Sequence, residues 1–166
     1  TLMNPNAQIL DICSKTGLYS LYVAYSLYKV RSSQSQGLFD MLSDQESCSM
    51  WKEIVEHNIF AVCKTAMAAS ITRRTLVGFD SNVRPNILTI PDLNSQVIVY
   101  KAKLASTISD PQNYPNLSTN QQMKFDAIIG NPPYQMNIGE KKDNYGIPLY
   151  NQFVDIARQM RPQFIT

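Results

Sequence analysis

Asn131-Pro132-Pro133-Tyr134 puts an amide, a carbonyl on a residue with no competing N–H, and an aromatic face within four positions. Such a loop is equipped to orient an amino group. The residues before it say where it sits. Ala127, Ile128 and Ile129 form a short apolar run, the pattern of a parallel strand covered on both faces. Gly130 ends the run and allows close backbone approach. The consecutive prolines fix their own φ and bias Asn131 away from the helical region. The four residues are therefore expected at the carboxyl edge of a sheet, where open α/β sheets bind ligands. The plainer reading is a rigid structural turn, with Tyr134 as a surface aromatic capping it.

The phrase from Phe125 and Asp126 through Asn131-Pro132-Pro133-Tyr134 to Gln135 resembles the Asn-Pro-Pro-Tyr motif of S-adenosylmethionine-dependent amino-methyltransferases. It looks most like the adenine-N6 DNA methyltransferases of restriction–modification systems, in the group where methylase and nuclease often share one polypeptide. Gly146-Ile147-Pro148-Leu149-Tyr150 resembles the region after the motif in those enzymes. The resemblance implies catalytic roles for Asn131, Pro132, Pro133 and Tyr134, with S-adenosylmethionine as cofactor and a flipped adenine of DNA as substrate. The Asn131 side-chain oxygen and the Pro132 carbonyl would each accept one N–H of the target amine. Pro133 would hold the turn rigid, and Tyr134 would stack on the base. Tyr145, Tyr150 and Phe153 are expected to pack rather than to touch the base.

The resemblance also implies a cofactor set at the end of the first strand. Asp11-Ile12-Cys13-Ser14-Lys15-Thr16-Gly17 stands where the family has Asp-Pro and a Gly-rich turn. Asp11, Cys13 and Gly17 are the expected contacts there. Ile12 replaces the proline, and Lys15 stands where a glycine is usual. The second strand should end in an acid for the ribose hydroxyls, yet Cys63 occupies that position. Its other reading is a buried small hydrophobe. The end of the third strand, placed near Ala102 and Lys103, offers no acid for the adenine amino group. Phe125 and Asp126 complete the expected set, Phe125 either covering the cofactor's adenine or lying in the core.

Other readings stay open beside this one. A related motif could serve a protein glutamine or an RNA amine, and the departures at Lys15 and Cys63 also suit a non-catalytic DNA-recognition or structural module.

The elements that position these residues follow from periodicity. Residues 8–13 read as a strand, 14–17 as a turn, and 18–30 as a helix whose apolar face carries Leu18, Leu21, Tyr22, Tyr25 and Tyr28, widened by Leu27. A loop at 31–37, a helix at 39–56 and a strand at 58–63 follow. Thr65 is placed to cap a helix to about Leu76. Residues 77–94, punctuated by Pro85 and Pro91, are expected to be irregular with a short helix, and 96–102 to form the third strand. A long polar loop at 106–123 precedes the fourth strand at 125–129, and a flexible loop is expected at 137–146. Pro148 fits the first turn of the last helix, and Phe164-Ile165 a fifth strand.

This alternation predicts an α/β fold with a mostly parallel sheet and helices on both faces. The resemblance adds the Rossmann-like methyltransferase topology, without its usual terminal hairpin. At 166 residues the chain is one domain by size. Thr1 is not an initiator, so residues 1–166 are expected to be a catalytic domain excised from a longer polypeptide whose other domains are its partners. A net charge of +2 does not by itself indicate nucleic-acid binding. The three cysteines, Cys13, Cys48 and Cys63, and the single His57 lack metal-ligand spacing. They fit a reduced cytoplasmic protein. No signal peptide and no membrane-length apolar run is visible.

Overall fold

The computed structural model describes residues 4–35, 42–117, 121–136 and 147–166. The expected loop at 137–146 lies outside them. The elements in chain order are β1 (Ile9–Ser14), α1 (Leu18–Ser35), α2 (Asp44–His57), β2 (Ile59–Cys63), α3 (Ala66–Val77), β3 (Asn86–Thr89), α4 (Leu93–Val99), α5 (Lys101–Ile108), β4 (Ala127–Ile129), β5 (Gln135–Met136), β6 (Ile147–Pro148), α6 (Tyr150–Gln159) and β7 (Phe164–Ile165). A five-stranded sheet takes the order β3-β2-β1-β4-β7, and every pairing in it is parallel.

β1 is buried at every position, as a central strand covered on both faces must be. Alternation along the strands sorts side chains into two cores. Leu10, Ile12, Phe60 and Ile128 meet α4, α5 and α6 through Leu93, Val97, Leu104 and Phe153. Ile9, Ile59, Ala127 and Ile129 meet α1, α2 and α3 through Ala24, Leu27, Val55 and Leu76. This is a Rossmann-like methyltransferase fold.

Local chemistry fixes the helix starts. Ser43 and Glu46 form a reciprocal capping box at α2. The Thr65 hydroxyl accepts from the Ala68 amide at 3.1 Å and starts α3, as its sequence predicts.

The structure corrects several expectations. Residues 96–102 are not the third strand: Leu93, Val97, Leu104 and Ile108 are buried at helical spacing along α4 and α5. The third strand is β3, inside the stretch read as irregular, where Pro85 and Pro91 flank an edge strand rather than interrupt it. α1 continues to Ser35, through residues expected to be loop. Its buried face is Ser20, Ala24 and Leu27, while Leu18, Tyr22 and Tyr25 are exposed. The small side chains at 20 and 24 let the helix sit close to β1. Pro148 lies in β6 opposite Gln135, so the last helix begins after it, at Tyr150. Within 106–123, Pro111–Asn113 form a 3-10 turn, and the buried Tyr114 hydroxyl donates to the Ile108 carbonyl at 2.8 Å. The fifth strand forms where expected, with Phe164 beside Ala127.

Candidate functional site

The strand order reverses between β1 and β4, and ligands of open α/β sheets bind at the carboxyl ends beside such a reversal. Asp11 of β1 pairs with Ile129 of β4. The turn after β1 and the Gly130-Asn131 step after β4 therefore leave the sheet side by side. Gly130 makes that approach possible: a Cβ there would lie 3.3 Å from Ile12 Cγ2 and 3.5 Å from Asp11 Oδ1. A cavity of about 160 Å³ opens between the two segments, lined by Asp11, Cys13, Lys15, Gly17, Tyr19 and Asn131, among others.

Asp11 is the buried charge of this cavity, 2% exposed. Its Oδ2 accepts from the Ser20 hydroxyl at 3.0 Å. Its Oδ1 meets no donor in hydrogen-bonding geometry. Burial raises its carboxyl above the ordinary range, against the lowering effect of Ser14, Ser20 and the Cys13 backbone. An orphaned buried acceptor is costly unless a ligand satisfies it.

α3 holds the turn from the other side. Gly17 has φ +74°, and a Cβ there would come within 3.0 Å of the Thr72 Cα. Its missing side chain thus serves helix packing as much as access to the cavity. The Thr75 hydroxyl donates to the Thr16 carbonyl at 2.6 Å. Thr72 also meets Ser14 Oγ at 3.2 Å and Cys63 Sγ at 3.6 Å, and all three residues are buried. Burial pushes the Cys13 thiol up to about 11 and also raises that of Cys63.

Asn131 is exposed at the cavity mouth, Pro132 is buried, Pro133 is half-buried and Tyr134 is 71% exposed. The segment after the motif pins it from behind. The Leu149 amide donates to the Tyr134 carbonyl at 2.9 Å, and β5 pairs antiparallel with β6. The Tyr134 ring stacks on Tyr150. Tyr150 thus packs, as expected, but against the loop's own ring and half-exposed.

The structure brings Asp11, Cys13, Gly17 and Asn131 together, with the rest of the loop following. It does not bring Phe125 and Asp126 to them, because both precede β4 and lie at the opposite, amino edge of the sheet. Phe125 is core, edge-on to Phe60 at 5.5 Å. Asp126 ties strands together: Oδ2 accepts from the Gln8 amide at 2.8 Å and Oδ1 from the Gln163 amide group at 3.2 Å.

Asp92 is not among the residues expected from the sequence, because the expected third strand at 96–102 lies beyond it. It is exposed, three residues beyond the end of β3, at the start of α4. It adopts φ 53° and makes no side-chain cap hydrogen bond, an uncommon state for a non-glycine residue. Pro91 immediately before it was the available signal.

The polar lining of this cavity, Asp11, Ser14, Lys15, Thr16 and Asn131, is compatible with the amino-acid end of S-adenosylmethionine. Cys63, at the end of β2, is fully buried against Thr72 and presents no accessible acceptor to a ligand. Among the described residues no three or more His, Cys, Asp or Glu gather as metal ligands, and no helix is long and apolar enough to cross a membrane.

The Eco57I restriction-modification methylase family matches over residues 57–166. The match runs from the end of α2 through the Asn131–Tyr134 loop to β7, and leaves β1 and its turn outside. Among curated proteins none matches. The family match spans most of the chain, including the loop that its sheet carries to the switch point, and the chain belongs to the Eco57I restriction-modification methylase family.

Proposed function

We propose that this chain transfers a methyl group from S-adenosylmethionine to N6 of an adenine in DNA, as the methylase of a restriction–modification system. The observation that carries this reading is the Asn131–Tyr134 loop beside the Asp11 cavity at the strand-order reversal. When bound, the cofactor supplies an electrophilic methyl group. Asp11, Cys13 and Gly17 form the cavity for its amino-acid end. Asp92 is the acid available beyond β3 for its adenine amino group.

The exocyclic amine of adenine is a poor nucleophile because its lone pair is delocalised into the ring. Asn131 would accept one of its N–H groups and the Pro132 carbonyl the other, which would favour a pyramidal nitrogen with a localised lone pair. Positioning and electrostatics do most of the work. A dedicated base is not required, since the nitrogen becomes acidic once alkylated. Tyr134 offers an exposed face on which an extruded base can stack.

The test is to offer the full-length protein DNA oligonucleotides, RNA and a release-factor peptide with tritiated-methyl cofactor. Label in N6-methyladenine of DNA is expected, and label confined to RNA or to a glutamine amide contradicts the reading. The buried Cys63 favours a second reading, a module without cofactor. Calorimetry that detects no S-adenosylmethionine binding would support it.

A further inference from the structure

Lys15 lines the same cavity as Asp11 and Asn131, in the turn between β1 and α1. It is exposed. Ser14 pairs with Cys63, so Lys15 and Lys64 extend from adjacent strand ends at the carboxyl edge. The ion pairs among the described residues are Lys52–Glu56 and Lys101–Asp155, and neither lysine takes part. One cavity is therefore lined by an exposed lysine in no ion pair and by the carboxylate of Asp11.

That pair of charges matches an α-amino acid, which carries a carboxylate and an ammonium on one carbon. A bare lysine in a cavity for a sulfonium ligand would repel it. The repulsion is offset when an anion lies beside the lysine, and the anion that S-adenosylmethionine itself brings is its α-carboxylate. A lysine ammonium is a compact charge on a flexible stem, able to reach a carboxylate from the solvent side. Asp11, on the same cavity, is the carboxylate left for the neighbouring ammonium.

We propose that Lys15 is a specificity-determining residue that pairs with the α-carboxylate of the cofactor, an inference that rests on the S-adenosylmethionine reading above. Here the charge requires the ligand to bring its own anion. The site should therefore discriminate against a cofactor that lacks the carboxylate and keeps the sulfonium, ribose and adenine.

Titration calorimetry of the full-length protein with S-adenosylmethionine and with decarboxylated S-adenosylmethionine tests this. The unmodified protein should prefer the carboxylated ligand by about tenfold or more, the scale of a charge-assisted hydrogen bond. Lys15→Ala should bring the two affinities to within about threefold, mainly by weakening the carboxylated ligand, and Lys15→Arg should keep much of the preference. An unchanged preference in Lys15→Ala overturns the proposal and leaves the cofactor reading standing. Failure of the unmodified protein to bind either ligand overturns both. Because Lys15 is exposed, an unchanged melting temperature in both variants confirms that the comparison is made on folded protein.

Discussion

The rings of Tyr134 and Tyr150 lie 6.4 Å apart, centroid to centroid, with planes 23° from parallel. Tyr150 is the first residue of α6, so a rigid element sets the orientation of the motif's aromatic ring. Both rings keep exposed surface, 71% for Tyr134 and 46% for Tyr150. The stack therefore leaves surface free for a base. Base–aromatic stacking is worth about 1–3 kcal/mol per base. Tyr134→Ala should reduce single-turnover methylation of duplex DNA by about 10- to 100-fold. Tyr150→Ala should cost less, about threefold to tenfold, because it loosens the ring without removing it. Equal rates for both variants and the parent protein would contradict the assignment.

Gly17 and Thr72 approach closely where α3 meets the turn after β1. A Cβ at Gly17 would meet the Thr72 Cα at 3.0 Å, and φ +74° is unfavourable for any side chain. Trimming Thr72 could not relieve this contact, since the opposing atom belongs to the backbone. Gly17→Ala should destabilise the fold by about 1–3 kcal/mol. Chemical denaturation measures it, and an unchanged midpoint would show that α3 does not brace the turn.

Asp11 links stability to pH with a definite sign. Burial raises its carboxyl pKa in the folded state above the ordinary 3.8. The native state therefore binds this proton more tightly than the unfolded chain does. Below 3.8 both states are protonated and the residue carries no penalty. As pH rises from there through the folded value, the unfolded chain ionises first and the fold loses stability. Asp11→Asn should thus raise the urea midpoint at pH 7 relative to the parent and change it little at pH 3.5. It should also weaken cofactor binding. An equal shift at both pH values would contradict the orphaned-carboxylate assignment.

Much of this was legible in the chain, and the misses have physical causes. β1, β2 and β4 are short, largely apolar runs with clear ends, so their burial on both faces could be read directly. The loop at Asn131 announced itself because its prolines restrict the backbone whatever the surroundings. β3 was hidden because its flanking prolines read as breakers, although an edge strand tolerates them at its ends. Residues 96–100 fit a strand within five positions. Only the longer window from Leu93 to Ile108 shows the helical period. That error moved the expected third-strand acid away from Asp92. α1 misled because its buried face is built from Ser20 and Ala24, which carry little hydrophobic signal, while its tyrosines face outward. Phe125 and Asp126 are adjacent in sequence to the motif, yet a strand separates them from it in space.

Asn131 carries the central chemical claim, and one variant addresses it most directly. Asn131→Ala in the full-length protein, assayed by tritiated-methyl transfer to DNA alongside calorimetry with S-adenosylmethionine, should lose about 10²- to 10³-fold in turnover, the scale of removing one preorganised hydrogen-bonding group. Cofactor affinity should change by less than about threefold, because the lost hydrogen bond is made to the target amine. Undiminished transfer by this variant would contradict the assignment of Asn131 as the acceptor that orients the amino group.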